Sequence, residues 1–395
     1  MLRKIFYTII MPITLVLALL FCINKYCCKE ISKFYPTTDI NYLYGNNVKN
    51  KGVILINESV KNNHILFFGS SELNPNPKLH VTTNPTLFYP NQYTNAKCDV
   101  IGNKGAETLD TLIRLGSIKN INTVPVIYSS SFTWFIGNEY TKDGTLSQFS
   151  ELQYYEFMNN DKVPLKVKQI VSSELVRLMK NKNMFHEVFL FAWLNTDNGL
   201  FKKSLKFVLL PYYIGRHQFL LFKDVINSYR LVMHHKNKTK ESYRKINWNA
   251  ETDAAYLQCK DLCYNDKNKF YVYKTWYDAN TKKILKDKNS HLNYKTDASK
   301  EYLYHDMLLN TVNALNIQSI VVLNSVNGYY YDYIGITKDL RDNYYKKLAN
   351  LQQFYNVSYI DLQPFEYEKY YFRDDAHYTS RGWLNINEKI IQILF

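Results

Sequence analysis

The sequence predicts an α/β domain built on a central, mostly parallel sheet, and three observations lead there. Short apolar runs recur along the chain, longer stretches with apolar residues at helical spacing lie between and after them, and one uncharged apolar run stands apart at the N-terminus. Short apolar runs bounded by polar segments fit strands covered on both faces, as strands in parallel sheets are. Alternation of such strands with helices argues for a doubly wound layout with right-handed crossovers.

The elements follow in chain order. Ile5 to Ile23 is a run of about nineteen residues without a charge, preceded by Arg3 and Lys4. That is close to the ~20 residues a helix needs to cross a bilayer. The run ends Leu20-Phe21-Cys22-Ile23, without the small residues of a cleavage site, and Phe21 before Cys22 argues against lipoprotein processing. The expectation is an uncleaved anchor, with residues 1–4 as a cytoplasmic tip, 5–23 in the membrane and the body extracytoplasmic. Lys25 and Lys29 follow closely, so charge asymmetry adds only mild support to that orientation. Residues 24–60 read as a polar juxtamembrane segment and 61–395 as one domain. Within it, Ile65–Phe68, Val124–Tyr128, Val188–Trp193, Ile320–Leu323 and Val357–Leu362 are the expected strands. Gly105–Leu115, Leu165–Met179, Lys300–Leu315, Thr337–Tyr355 and Trp383–Leu394 are the expected helices. Residues 240–298 are polar and aromatic without clear period, and read as an insertion or lid-like region.

Composition narrows the class. Hydrophobic content of 46% over 395 residues is enough to bury a core, which excludes wholesale disorder. A net charge of +14 suits an anionic surface, either lipid headgroups or a phosphate-bearing polymer. It suits equally a soluble exterior in a Lys-rich proteome. Lys and Arg are spread along the chain, and with a membrane anchor nucleic acid is not an expected partner. Cys259 and Cys263 stand four apart, too few for a zinc site without further ligands, and are readable as a local disulfide or as two thiols.

The chemistry-bearing pattern lies at opposite ends of the domain. Near the C-terminus, Asp374 precedes His377 by three residues, a spacing that lets a carboxylate fix an imidazole and its tautomer. Near the start, Gly69-Ser70-Ser71-Glu72 follows the first expected strand directly. Ligand sites in open α/β sheets lie at the C-terminal ends of strands, so these serines belong at the crevice. The plainer reading is a helix cap, which Ser-Ser-Glu also suits. The order, Ser early with Asp and His late, differs from the α/β-hydrolase pattern, and no G-x-S-x-G occurs.

That order resembles the SGNH (GDSL-like) hydrolase superfamily, in which Gly-Asp-Ser after the first strand supplies a nucleophile and Asp-x-x-His completes a triad. Phe67-Phe-Gly-Ser-Ser-Glu-Leu73, Asp374-Asp-Ala-His377 with Gly382-Trp383, and the single N-terminal anchor together resemble the DltD family. Val100-Ile-Gly-Asn-Lys-Gly105, Ser131-Phe-Thr-Trp-Phe135, Ser299-Lys-Glu-Tyr302 and Leu323-Asn-Ser-Val-Asn-Gly328 extend the resemblance along most of the chain. It implies an SGNH-like three-layer α/β/α domain and D-alanyl transfer onto teichoic acid, without a cofactor or metal. The implied partners are a membrane-bound O-acyltransferase, a D-alanyl carrier system and the anionic polymer. Residue by residue it implies Ser71 as nucleophile, with Ser70 as the alternative, His377 as general base and Asp374 as its orienting acid. It also implies an oxyanion hole from the N–H groups of Ser71 and Gly105 and the amide of Asn327. Ser325 replaces the family's Pro before this Asn, and Phe132 and Thr133 replace its Pro-Gln before Trp134-Phe135.

Other residues carry plainer expectations. Asp375 is the lesser candidate for the triad acid, His234-His235 read as a solvated helix face, His64 as a strand-end residue, and Asp361 as a loop-capping carboxylate. Two other readings accompany the transferase: an envelope esterase or thioesterase of the same fold, and a non-catalytic accessory that recruits a carrier or polymer.

Overall fold

A computed structural model describes residues 6–74, 97–136, 146–180, 186–237, 247–294 and 299–395. The expected cytoplasmic tip, Ile5 and the two ends of the 240–298 region lie outside the described residues. The body is an α/β fold on a five-stranded, all-parallel sheet of order β2-β1-β3-β4-β5. The strands are β1 (Ile65–Gly69), β2 (Cys98–Gly102), β3 (Val126–Ser131), β4 (Ser319–Asn324) and β5 (Ser358–Asp361).

Period-two alternation within each strand sends neighbouring side chains to opposite faces. Ile65, Phe67, Val100, Ile127, Ile320 and Val322 join one buried cluster. Leu66, Phe68, Ile101, Val126, Tyr128 and Val321 join the other. Both faces are therefore covered by helices, which is what makes the strands read as continuous apolar runs. The helices are α1 (Met11–Phe34), α2 (Asn47–Lys51), α3 (Ile54–Lys61), α4 (Thr108–Gly116), α5 (Glu151–Asn159), α6 (Leu165–Met179) and α7 (His186–Leu194). They continue with α8 (Leu200–His235), α9 (Trp248–Cys263), α10 (Lys274–Asp287), α11 (Glu301–Ala314), α12 (Gly328–Ile334), α13 (Lys338–Phe354) and α14 (Ser380–Leu394).

Four of the five expected strands are present, with ends shifted by up to three residues. Val188–Trp193 is instead part of helix α7, with Val188, Phe191, Ala192 and Leu194 buried. A short continuous apolar run fits a covered strand and a largely apolar helix equally well, and periodicity does not separate them. Strand β2 lacks an apolar run because Asp99 interrupts it. That carboxylate is fully buried and takes the Lys49 ammonium at 3.0 Å, while the same ammonium reaches the Val100 carbonyl at 2.5 Å. Residues 35–51 are thereby pinned to the sheet edge, although they look like a plain polar stretch in sequence.

Helix α1 is the one described helix long and apolar enough to cross a membrane by length and composition. Residues 10–23 are exposed along their whole length, and the helix meets the rest of the protein from Tyr26 onward, through Tyr229 and then through the buried Cys27 and Ile31.

Candidate active site

In the order β2-β1-β3-β4-β5 the chain turns to opposite sides of the sheet on either side of β1, so a crevice opens beyond its C-terminal end. The backbone leaves β1 at Gly69, Ser70 turns it out of the extended region (φ −118°, ψ −138°), and Ser71–Leu73 form a single 3-10 turn. The two serines have different surroundings. Ser70 is 2% exposed; its N–H donates to Glu72 Oε1 at 2.8 Å, its hydroxyl donates to the Asn103 carbonyl at 3.3 Å, and its Oγ accepts the Gly105 N–H at 3.1 Å. Ser71 is half-buried, and its Oγ lies 2.9 Å from His377 Nε2.

The other ring nitrogen, His377 Nδ1, lies 2.9 Å from both carboxylate oxygens of Asp374. Asp374 Oδ1 also accepts the backbone N–H of Ala376 at 3.0 Å and of His377 at 2.7 Å. The three-residue spacing thus works as a local cap: the carboxylate that orients the ring also folds the loop presenting it. The Phe372–Tyr378 bridge and the Arg373 N–H to His377 carbonyl bond at 2.8 Å close that loop.

The electrostatics follow from this arrangement. Burial alone would draw the His377 imidazole down, but the hydrogen bond and charge of Asp374 outweigh it, and the net direction is up. Burial pushes against the charged Asp374 as well, yet His377 and the two backbone N–H donors hold its carboxyl below the ordinary range. Asp375 goes the other way, raised by burial and then by the adjacent Asp374 charge. No hydrogen bond joins its carboxylate to His377 among the described residues, and its backbone carbonyl accepts the Asn327 N–H at 2.9 Å.

Gly382 and Trp383 hold the two halves together. A Cβ on Gly382 would sit 2.9 Å from the Tyr371 carbonyl oxygen and from Tyr378 Cβ, so only glycine lets α14 press this closely on the His377 loop. Trp383 packs edge-on to Phe67 of β1 at 6.2 Å and to Tyr378 at 5.8 Å. The strand that delivers Ser71 and the loop that delivers His377 share one aromatic contact.

The three expected oxyanion donors stand in different states. The Ser71 N–H opens its 3-10 turn, where a donor has no intrahelical acceptor. Gly105, at φ +78°, has open space on its Cβ side, but its N–H is held by Ser70 Oγ. Asn327 caps α12 by accepting the Tyr330 N–H at 3.0 Å, and its Nδ2 donates to the Phe270 carbonyl at 2.8 Å, which leaves the second amide hydrogen. Phe132 and Phe135 are core residues, whereas Thr133 and Trp134 are half-buried.

Glu72 is the residue whose part sequence reasoning missed, because beside two serines it reads as a helix cap. It is buried under the Ser70–Ser71 turn; burial raises its carboxyl, and hydrogen bonds from the Ser70 N–H and the Ser129 hydroxyl offset part of that. Ser129 Oγ in turn accepts from Asn324 Nδ2 at 2.6 Å, so the ends of β1, β3 and β4 share one polar chain.

The plainer expectations fit their surroundings except at His235, which is partly buried against Asp39 and so is not part of a solvated helix face. His64 is buried at the start of β1 against the Tyr35 ring, and burial lowers its imidazole to about 4. Asp361 Oδ1 accepts the Gln363 N–H at 2.8 Å. His234 is exposed, His235 pairs with Asp39 at 2.6 Å, and no metal-holding cluster occurs among the described residues. Cys259 and Cys263 are buried, unbonded thiols one turn apart on α9.

Comparison with known proteins adds family context. The family model described as DltD protein matches residues 42–394. Over 346 residues the chain is 22% identical to Protein DltD of Bacillus subtilis (strain 168), covering 86% of this chain and 85% of that protein. Over 352 residues it is 22% identical to Protein DltD of Staphylococcus aureus (strain NCTC 8325 / PS 47), covering 86% and 83%.

Proposed function

The chain belongs to the DltD family, and from that membership together with the site geometry we propose that it transfers D-alanyl groups onto teichoic acid through a Ser71–His377–Asp374 triad. The observation that carries this reading is the continuous line from Asp374 through both ring nitrogens of His377 to Ser71 Oγ, each step 2.9 Å.

In this mechanism His377 Nε2 takes the Ser71 hydroxyl proton as Oγ attacks the carbonyl of an activated D-alanyl ester or thioester. The carbonyl oxygen gains the electron pair and is met by the Ser71 N–H and the adjoining Gly105 and Asn327 donors. Collapse of the tetrahedral adduct expels the leaving group, which takes the proton from His377, and the acyl group stays on Ser71. A polymer hydroxyl then gives its proton to His377 and attacks the ester, and Ser71 recovers the proton on release. Asp374 fixes the tautomer with Nδ1 protonated and stabilises the imidazolium formed in each half. For Gly105 to contribute, its N–H must share itself between Ser70 Oγ and the oxyanion.

The body stands outside the cytoplasm on the α1 anchor, beside a membrane-bound O-acyltransferase and a D-alanyl carrier system, and its +14 charge favours approach to a polyphosphate acceptor. The deciding experiment is complementation of a deletion strain. Ser71→Ala and His377→Ala should reach the membrane at wild-type levels and leave the polymer without D-alanine esters. Normal ester content in the Ser71→Ala strain would make the protein a non-catalytic accessory. Rapid hydrolysis of a chromogenic ester without polymer would identify water as the acceptor.

A further inference from the structure

The side chain of Glu72 folds back under the turn that carries Ser71, where the residue is only 6% exposed. Its Oε1 accepts the Ser70 N–H at 2.8 Å. The Ser70 hydroxyl is held as well, by the Asn103 carbonyl and the Gly105 N–H. The Ser70 carbonyl accepts the Leu73 N–H at 3.1 Å, which closes the turn. Ser71 thus hangs between a residue fixed at its N–H, Oγ and carbonyl and a buried carboxylate. Gly69 permits this close approach, because a Cβ there would sit 2.6 Å from Glu72 Oε1.

The direction of the hydrogen bonds gives the form of this acid. Asn324 Nδ2 can only donate, so Ser129 Oγ accepts it at 2.6 Å and turns its own proton toward Glu72. With a backbone N–H on one side and a hydroxyl proton on the other, Glu72 acts as acceptor only, as a carboxylate does. Burial works against that charge, while these donors and the nearby His377 favour it. The other groups acting on Glu72 and His377 are Asp374, Asp375 and Arg373 of the His377 loop, together with Tyr44, Tyr128 and Tyr378. Burial raises all three phenols, so they stay neutral, and the charges that act are the carboxylates, the guanidinium and the ring itself.

We propose that Glu72 is a positioning residue of the transfer: a carboxylate under the turn that fixes Ser71 against His377 and adds a second negative charge beside the ring. Asp374 holds the ring by a hydrogen bond at Nδ1, whereas Glu72 acts on it through space, and its share is the smaller. When Ser71 Oγ gives its proton to His377 Nε2, the imidazolium that forms is stabilised by both carboxylates. The braced turn meanwhile keeps Oγ at its 2.9 Å from the ring. The proposal rests on the Ser71–His377 reading for its chemistry, but the effect of Glu72 on the ring exists without any turnover.

The test follows the rate at which a fluorophosphonate labels Ser71 of the full-length protein across pH. Glu72→Gln keeps an acceptor for the Ser70 N–H but carries no charge. Its acid limb should move to lower pH, by less than in Asp374→Asn. Glu72→Asp restores the charge on a shorter stem, so it should recover most of the limb while labelling more slowly than wild type. Glu72→Ala removes both brace and charge and should slow labelling on the order of 100-fold. In the Ser71→Ala protein, NMR titration of the His377 imidazole should show the same downward move on Glu72→Gln with no reaction taking place. A labelling limb and a His377 titration both unmoved in Glu72→Gln overturn the proposal, even if the melting temperature falls. Labelling that persists in Ser71→Ala overturns the triad reading instead, and the His377 titration then still decides the part of Glu72.

Discussion

Ser70 Oγ accepts the Gly105 N–H at 3.1 Å, which ties the first serine of the pair to the loop after β2 and leaves the second facing His377. The two neighbouring hydroxyls therefore have separable roles. Mass spectrometry after exposure to an active-site serine probe should find the label on Ser71. Ser70→Ala should still be labelled while losing about 1–3 kcal/mol of stability, because a buried donor is left without its partner. Ser71→Ala should lose labelling and about 10³-fold or more in turnover. A label on Ser70 would overturn the assignment.

The pH dependence has a definite sign. A general base must be neutral, so acylation falls as pH drops through the raised His377 value. In Asp374→Asn the charge that raised it is gone and burial dominates, so the acid limb of kcat/KM should move to lower pH. The rate itself should fall by up to about 10⁴-fold, as when a triad carboxylate is lost. Stability runs on the same groups. The raised His377 contributes below its unfolded pKa and loses this as pH rises through the folded value. The lowered Asp374 contributes above its unfolded pKa and loses this as pH falls. An acid limb unmoved in Asp374→Asn would remove Asp374 from its role.

Gly382→Ala should affect activity more than folding. The added methyl meets the Tyr371 carbonyl and Tyr378 Cβ at 2.9 Å, so α14 or the His377 loop must shift. Overpacking of this kind costs about 1–3 kcal/mol. A displacement near 1 Å at the base can cost on the order of 100-fold in rate. Melting temperature and ester turnover measured on one preparation separate the two effects, and equal turnover to wild type would mean the loop does not move.

The Lys49–Asp99 pair predicts a stability effect far from the chemistry. Lys49→Met leaves the Asp99 carboxylate buried without its cation, which should destabilise by about 3–5 kcal/mol. Lys49→Met combined with Asp99→Leu should regain much of that loss. Chemical denaturation of the two variants measures it, and a single variant as stable as wild type would show that the edge is not pinned there.

The sites of agreement and failure between sequence and structure share a physical logic. Ile65–Phe68, Ile320–Leu323 and Val357–Leu362 were readable because a strand covered on both faces must be apolar at consecutive positions. Cys98–Gly102 was not, because Asp99 inside it is neutralised by a lysine fifty residues away in sequence. Helix α8 was not, because an apolar stripe on each side erases the one-sided period by which a surface helix is recognised. Glu72 was hidden for a different reason. Only the packing of β3 and β4 beside β1 turns a capping-type glutamate into a buried group beneath the Ser70–Ser71 turn.

By itself the sequence determined the fold class, the anchor-like helix and the local Asp374–His377 unit, since each depends on residues close together in the chain. An Asp that caps its own loop positions its own histidine, whatever surrounds it. Tertiary structure alone decided which serine that histidine meets, because Ser71 comes within 2.9 Å of a ring 306 residues away only after parallel pairing and α14 packing bring both chain ends to one crevice. It also decided the direction of α8 relative to α1. Tyr26 against Tyr229 and Phe34 against Lys236 define that direction together, and their pairing is a matter of packed shape that residue order does not encode locally.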